Sequence, residues 1–180
     1  MPTLIHLNGP SGVGKSTLSQ RYVDEHPGTL NLDTDRIVAL IGGWRDNFGG
    51  TLAPARRIAT VMAETHLASG HDVVMPQLAT SLDQVQCFED AAARAGASYV
   101  EIGLIVDRRE QVRRFRAKSN RSHVDQHIQR YVESKGGEAL LERIHRHFTE
   151  YLKKRPLARR VDTDGLDPDA TYTAFLSALR

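Results

Sequence analysis

The stretch "GPSGVGKST" (residues 9–17) decides the fold of this chain. From Gly9 to Ser16 it fits G-x-x-x-x-G-K-[ST], the spacing of a phosphate-binding P-loop. The apolar run "TLIHLN" (3–8) before it predicts a buried strand, and the segment 15–25 after it carries apolar residues at helical spacing. A strand, a glycine loop and a helix in this order are the context that the motif requires.

The residue types in this loop suit a polyphosphate ligand. Its glycines let backbone N–H groups approach phosphate oxygens without a Cβ in the way, and the positive end of the following helix adds to the field. We expect Lys15 to reach the β- and γ-phosphates and Ser16 to offer its hydroxyl to Mg²⁺. The alternative is a plain glycine turn with a solvated lysine. The predicted nucleotide-binding residues of the loop are Gly9, Ser11, Gly12, Val13, Gly14, Lys15, Ser16 and Thr17.

Strand-like and helix-like segments alternate along the rest of the chain. Further strands are predicted at 29–32, 72–75, 99–106 and 158–161, and helices at 15–25, 35–41, 53–69, 82–95, 109–118, 125–155 and 168–179. The stretch 41–54 has four glycines and no periodicity, which predicts a loop. This alternation predicts one α/β domain over 1–180, a P-loop NTPase fold with a five-stranded parallel sheet flanked by helices. Ligands of such sheets bind beyond the carboxyl ends of the strands.

Two carboxylates, Asp33 and Asp35, follow the predicted second strand. Phosphoryl transfer needs a positioned carboxylate beside the metal, so we assign Asp33 to Mg²⁺ and Asp35 to the proton of an attacking hydroxyl. The alternative is that one of them caps the next helix, which begins near Arg36. Arg36 and Gln77 are further candidates for substrate contact, although a loop glutamine is commonly solvated. No aspartate ends the third predicted strand, which argues against a motor ATPase or a GTPase.

An arginine-rich segment follows the predicted fourth strand. It predicts a helical lid over about residues 108–136, whose guanidinium groups would neutralise charge on the transferring phosphoryl group. We assign catalytic roles to Arg116 and Arg121 and a nucleotide-binding role to Arg113. The alternative is a solvated basic helix face.

Two features near the C-terminus are interpreted more simply. The loop "VDTDGLDPD" (161–169), with Gly165, either borders the nucleotide base or forms an ordinary turn. His145 and His147 are predicted to be exposed helix residues rather than metal ligands, because they lack the spacing of a zinc motif.

Composition limits the partners and the compartment. A formal charge of +2 over 180 residues does not favour a nucleic-acid partner, although it does not exclude one. The single cysteine, Cys87, cannot form an intramolecular disulfide, which suits a reducing cytoplasm. The chain has no apolar run of 18 residues, so we expect no membrane partner. The sequence leaves open whether the protein forms a homodimer.

Three segments carry a resemblance to small P-loop kinases that covers most of the chain. The tetrapeptide "LDTD" (32–35) resembles the acidic pair of shikimate kinase, but "MPQLAT" (75–80) replaces the glycine triplet of that family. The segments "VRRFRAKSNR" (112–121) and "VDTDGLDPD" resemble the lid and the closing stretch of the chloramphenicol phosphotransferase-like group, which includes tunicamycin-resistance and capuramycin-type antibiotic phosphotransferases. This resemblance implies that Asp35 is the base and that the lid arginines bind phosphate. The helical stretch 124–155 is longer than in that group.

The leading functional hypothesis is therefore an ATP- or GTP-dependent, Mg²⁺-requiring O-phosphotransferase that acts on a small hydroxylated molecule, with an antibiotic as the acceptor that the resemblance favours. A second hypothesis is a nucleotide, sugar or polynucleotide 5′-hydroxyl kinase. A third, from another class, is a nucleotide-binding switch with slow hydrolysis.

Overall fold

The computed structural model describes residues 1–118 and 122–180, which form a parallel five-stranded sheet with helices on both faces. The strands lie in the order β2-β3-β1-β4-β5, and every neighbouring pair is parallel. Their bounds are β1 Thr3–Asn8, β2 Leu30–Asn31, β3 Val73–Pro76, β4 Ser98–Ile105 and β5 Arg159–Asp162. The predicted fold class is confirmed, and each predicted strand is found within two residues of its expected ends.

The helices connect the strands and cover the sheet. Their bounds are α1 Lys15–Glu25, α2 Thr34–Val38, α3 Phe48–Ala68, α4 Leu82–Arg94, α5 Arg108–Ala117, α6 His123–Ser134, α7 Glu138–Lys153 and α8 Pro168–Leu179. Two of the secondary-structure predictions were wrong. The loop predicted over 41–54 ends early, because Asn47 accepts a hydrogen bond from the Gly50 N–H and caps α3. The single helix predicted over 125–155 is two helices, because Gly136 and Gly137 have positive φ between them.

Apolar side chains are buried on both faces of the sheet. One cluster packs α3 and α4 against the sheet, with Phe88 and Met75 fully buried in it. A second packs α1 and α8 against the other face around Phe175. The central strand β1 is buried along most of its length, so the P-loop that follows it begins on a rigid support. Within the described residues, no helix is long and apolar enough to span a membrane.

A polar network runs through the core and fixes the segment after β3. Asn8 donates to the carbonyl of Ala79 and accepts from its N–H, and it also donates to Glu101 at 2.8 Å. Glu101 is 4% exposed and receives further hydrogen bonds from Tyr151 and Arg155. Buried polar groups that are paired in this way specify one arrangement of the chain, since an unpaired one would be costly. The residue before the P-loop and the loop after β3 are thereby held together.

Candidate active-site cleft

The P-loop has the backbone conformation that its glycines predict. Gly12 and Gly14 have φ of 95° and 96°, in the region that residues with a Cβ rarely adopt. The carbonyl of Gly14 accepts from the N–H groups of Thr17 and Leu18 and so begins α1. A Cβ on Gly12 would lie 3.0 Å from a backbone atom of Phe115, so α5 packs directly on the loop.

Lys15 folds back over the loop. Its Nζ donates to the carbonyls of Gly9 at 2.7 Å and Pro10 at 3.0 Å. Burial lowers the pKa of Lys15 to about 8, although Asp35 and Asp33 nearby favour the charged form. An incoming phosphate would replace these carbonyls as the acceptor of the lysine hydrogen bonds.

The acidic pair splits into two roles. The Oδ1 atom of Asp33 accepts from the Asp35 N–H at 3.0 Å and caps α2, so Asp33 makes the capping contact, and its Mg²⁺ role stays a prediction. Asp35 lies in the first turn of α2 and its side chain lines a cleft shared with Lys15. Burial, followed by the charge of Asp33, raises the pKa of Asp35 to about 6. A carboxylate with such a pKa is suited to accept a proton near neutral pH.

Two cavities meet at the P-loop. The first, called here the P-loop cleft, has a volume of about 320 Å³ and extends from the loop past Asp35 to α5 and α6. The second, called the β5-side cavity, has a volume of about 390 Å³ and extends from the loop to Gly165 and Leu166. Among the described residues, five line both cavities: Gly12, Gly14, Thr17, Arg113 and Arg114. The loop can therefore hold a polyphosphate between two other groups, one in each cavity.

The predicted P-loop residues divide according to what they offer a ligand. Ser11, Gly12, Gly14, Lys15, Ser16 and Thr17 line the P-loop cleft. Val13 is 1% exposed and lines the β5-side cavity, where only its backbone can serve a ligand's polar groups. A Cβ on Gly9 would lie 3.0 Å from the Leu104 carbonyl oxygen, so this position needs glycine for packing.

The structure does not bring all of the predicted lid arginines to the P-loop cleft. Arg113 lines both cavities and is held by Glu110 at 2.6 Å. Arg116 lies outside both, where it pairs with Glu138 on α7 at 2.7 Å. Arg121 lies outside the described residues. The catalytic roles of Arg116 and Arg121 stay predictions.

The P-loop cleft also contains charged residues that the sequence patterns do not single out. Lys118, just after α5, forms an ion pair with Asp125 on α6, and both side chains line the cleft. Arg114 also lines the cleft, where Glu110 and Thr163 hold its guanidinium group. Asp125 had one sequence signal, since it lies three residues after Ser122 in a helix-capping spacing, and Ser122 accepts from its N–H.

The other two predicted site residues, Arg36 and Gln77, line neither cavity. Arg36 is exposed and its Nε lies 3.9 Å from the Asp33 carboxylate. Gln77 lines neither cavity, its side chain donates to the Leu78 carbonyl, and its own carbonyl accepts from His6.

The two histidines of α7 differ from each other. His145 is half-buried and bonded to the Val106 carbonyl at 2.9 Å, so the prediction that it is exposed was wrong. His147 is exposed, as predicted. In the ranges 1–118 and 122–180, no group of three or more histidine, cysteine or acidic side chains is placed to hold a metal ion.

Residues 4–151 match the family model described as an AAA domain. The chain belongs to the AAA domain family. No curated protein sequence matches this AAA domain chain.

Several solved structures are similar to this AAA domain protein over nearly its whole length. A candidate kinase from Chloroflexus aurantiacus is 21% identical with a TM-score of 0.67, covering 99% of this chain and 96% of that one. The tunicamycin resistance protein of Deinococcus radiodurans is 15% identical with a TM-score of 0.59, covering 99% and 95%. A gluconokinase from Sinorhizobium meliloti is 13% identical with a TM-score of 0.61, covering 99% and 93%. The fold is that of P-loop kinases, and the resemblance to this wider group is confirmed.

Proposed function

We propose that this protein is an ATP- or GTP-dependent phosphotransferase that moves the γ-phosphate to a hydroxyl of a small molecule. One observation carries the proposal. Asp35, a carboxylate with a raised pKa, shares the P-loop cleft with Lys15 and Ser16. A general base beside a phosphate-binding loop is what transfer to an alcohol requires, whereas a nucleotide-binding switch has no need for it.

The two cavities suggest how the substrates divide. The nucleotide base would occupy the β5-side cavity, with its phosphates on the P-loop, and the acceptor would occupy the P-loop cleft beyond Asp35. Asp35 orients the acceptor hydroxyl and takes its proton as the oxygen attacks the γ-phosphorus. The bond from that phosphorus to the bridging oxygen breaks, and its electron pair stays on the departing nucleoside diphosphate. Lys15 and Arg113 offset the negative charge on the phosphates.

The residues assigned to Mg²⁺ suit this ion, because hydroxyl and carboxylate oxygens are its preferred protein ligands. Ser16 is exposed at the start of α1, and the Asp33 carboxylate is half-buried at the start of α2. These two residues would hold the ion, and phosphate oxygens and water would complete its shell. The bound ion would supply further neutralisation of phosphate charge.

The type of acceptor is the finer part of the proposal. Fold neighbours include a tunicamycin resistance protein, a gluconokinase and a deoxyadenosine kinase, so the fold supports antibiotic, sugar-acid and nucleoside acceptors alike. The resemblance of residues 112–121 to an antibiotic phosphotransferase lid favours an antibiotic.

The test is nucleotide turnover with and without acceptors. Purified protein is incubated with Mg²⁺ and ATP or GTP, alone and with antibiotics, nucleosides, sugars and polyols, and products are detected by the mass gain of one phosphate. Acceptor-dependent turnover that Asp35→Asn abolishes supports the proposal. Turnover that is equally fast without any acceptor, or that is unchanged in Asp35→Asn, would refute it.

A further inference from the structure

Lys118 supplies a second lysine cation to the reacting end of the P-loop cleft. Four cationic side chains of the described residues line this cleft: Lys15, Arg113, Arg114 and Lys118. The two arginines also line the β5-side cavity, so they lie where the two cavities meet. The two lysines, like Asp35, line the P-loop cleft but not the β5-side cavity. In the proposed function the transferring phosphoryl group lies between the nucleotide and Asp35, in the space that these lysines share.

The backbone of Lys118 is held against the P-loop. A Cβ on Gly12 would lie 3.0 Å from the backbone N atom of Phe115, so this turn of α5 rests directly on the loop. The Lys118 N–H in turn donates to the Phe115 carbonyl at 3.3 Å and closes the end of α5. Because lysine carries its charge at the tip of a flexible four-carbon stem, the ammonium group can change partners while the backbone stays in place.

The carboxylate that holds Lys118 can release it at little cost. The Lys118 ammonium group is paired with Asp125, and 46% of the lysine side chain is exposed. The other carboxylate oxygen of Asp125 accepts from the Ser122 hydroxyl at 2.8 Å. Asp125 also lies in the first turn of α6, where the helix dipole stabilises a negative charge. Asp125 therefore keeps favourable interactions when Lys118 leaves, and a partly exposed ion pair of this kind contributes little to stability.

The arginines of the cleft are held more firmly. Arg113 donates two hydrogen bonds to the Glu110 carboxylate, each at 2.6 Å. Arg114 donates to Glu110 and, through its other two nitrogens, to the hydroxyl and the carbonyl of Thr163. Each guanidinium group would have to break two or more hydrogen bonds to reach a new partner. Lys118 would have to break one ion pair, which makes it the more mobile cation.

We propose that Lys118 is a catalytic residue that exchanges Asp125 for the γ-phosphoryl group when the nucleotide binds. In the empty cleft, Asp125 competes with phosphate for this lysine. The ammonium group stays protonated throughout and donates to non-bridging oxygens of the transferring group, while the proton of the acceptor hydroxyl goes to Asp35. Lys15 from the P-loop and Lys118 from the end of α5 then offset the charge of this group together. The inference rests on the proposed function, because it assigns a further residue to the same reaction.

Nucleotide binding tests the exchange without any acceptor. Calorimetry compares ADP with the β,γ-methylene analogue of ATP, which has the γ-phosphate that ADP lacks, or the guanine counterparts if the protein uses GTP. Lys118→Ala should weaken binding of the analogue on the order of tenfold and leave binding of the diphosphate nearly unchanged. Asp125→Asn frees the lysine and should tighten binding of the analogue about two- to fivefold. Lys153→Ala breaks a similar ion pair, with Glu150, away from both cavities and serves as the control.

Turnover with a working acceptor tests the catalytic role. Lys118→Ala should lower kcat about 10²-fold, and Lys118→Arg, which keeps the charge, should restore much of the loss. The inference is overturned if a folded Lys118→Ala protein loses affinity for the analogue and the diphosphate equally, or for neither. Unchanged or weaker binding of the analogue by a folded Asp125→Asn protein also overturns it. In these cases acceptor-dependent turnover by the wild type leaves the proposed function standing. A wild-type protein without such turnover overturns the proposed function and the catalytic role together.

Discussion

Asp35→Asn should make the protein more stable and much less active. In the folded protein the pKa of Asp35 is raised to about 6, whereas an unfolded chain gives an aspartic acid a pKa of about 3.9. The folded state therefore holds this proton more tightly than the unfolded state does. Below pH 4 both states are protonated and the difference vanishes. As the pH rises from about 4 to 6, the unfolded state loses its proton first, so the free energy of unfolding falls.

Above pH 6 the decrease in the free energy of unfolding is complete. It amounts to roughly 3 kcal/mol, because each tenfold change in proton affinity corresponds to about 1.4 kcal/mol. Asparagine does not ionise and avoids this cost. Asp35→Asn should therefore raise the free energy of unfolding at pH 8 by up to about 3 kcal/mol, and by very little at pH 4. Removal of a general base should lower kcat about 10²–10⁴-fold, while nucleotide affinity stays close to the wild-type value.

Urea unfolding at pH 4 and pH 8 measures the first effect, and steady-state kinetics with a working acceptor measures the second. In the wild-type protein, kcat/KM should also decline as the pH falls below 6. A variant that is less stable than the wild type at pH 8 would refute the stability argument, because the charged Asp35 side chain would then stabilise the folded state instead of destabilising it. Activity close to the wild-type value would exclude Asp35 as the base.

Three further predictions concern the loop and its neighbours. Lys15→Ala should weaken nucleotide binding at least tenfold, as measured by calorimetry, without unfolding the protein. The nucleotide affinity of the wild-type protein should fall as the pH rises past 8, where Lys15 loses its charge. Unchanged affinity in the variant would mean that this lysine does not bind phosphate. Lys118→Ala should lower kcat more than Arg116→Ala, because only Lys118 lines the cleft; the reverse order would mean that Arg116 reaches phosphate as the sequence predicts. Gly12→Ala should lower Tm, since a positive φ and contact with Phe115 cost about 1–3 kcal/mol; an equal Tm would contradict the packing of α5 on the loop.

Most of the fold could be predicted because the sequence patterns are local. The P-loop spacing, the alternation of strands and helices, and the first turn of α8 at Pro168 all depend on neighbouring residues. The sequence does not predict the break between α6 and α7, because a long helical periodicity runs through the two glycines whose positive φ ends one helix before the next begins. The sequence does not predict the start of α3, because Gly49 and Gly50 mark a loop in most contexts, whereas here Asn47 caps the helix that contains them.

The candidate site was less predictable, because it depends on contacts between distant segments. Sequence can place Asp35 after a strand, but it does not show that burial and Asp33 raise its pKa. Nor can it distinguish Arg116 from Lys118, two residues apart, since their direction depends on how α5 is rotated against the loop. The partners that decide the difference, Glu138 and Asp125, lie on two other helices.

The helix α6 offers a route for protein engineering. It has its own start, capped by Ser122, and its own end at Gly136 and Gly137, and it supplies Asp125 and Ile128 to the cleft without contributing to the P-loop. A designer could replace its cleft-facing residues as one cassette and leave the loop sequence untouched. Directed evolution confined to these 12 residues would then explore new acceptors on an unchanged nucleotide-binding frame.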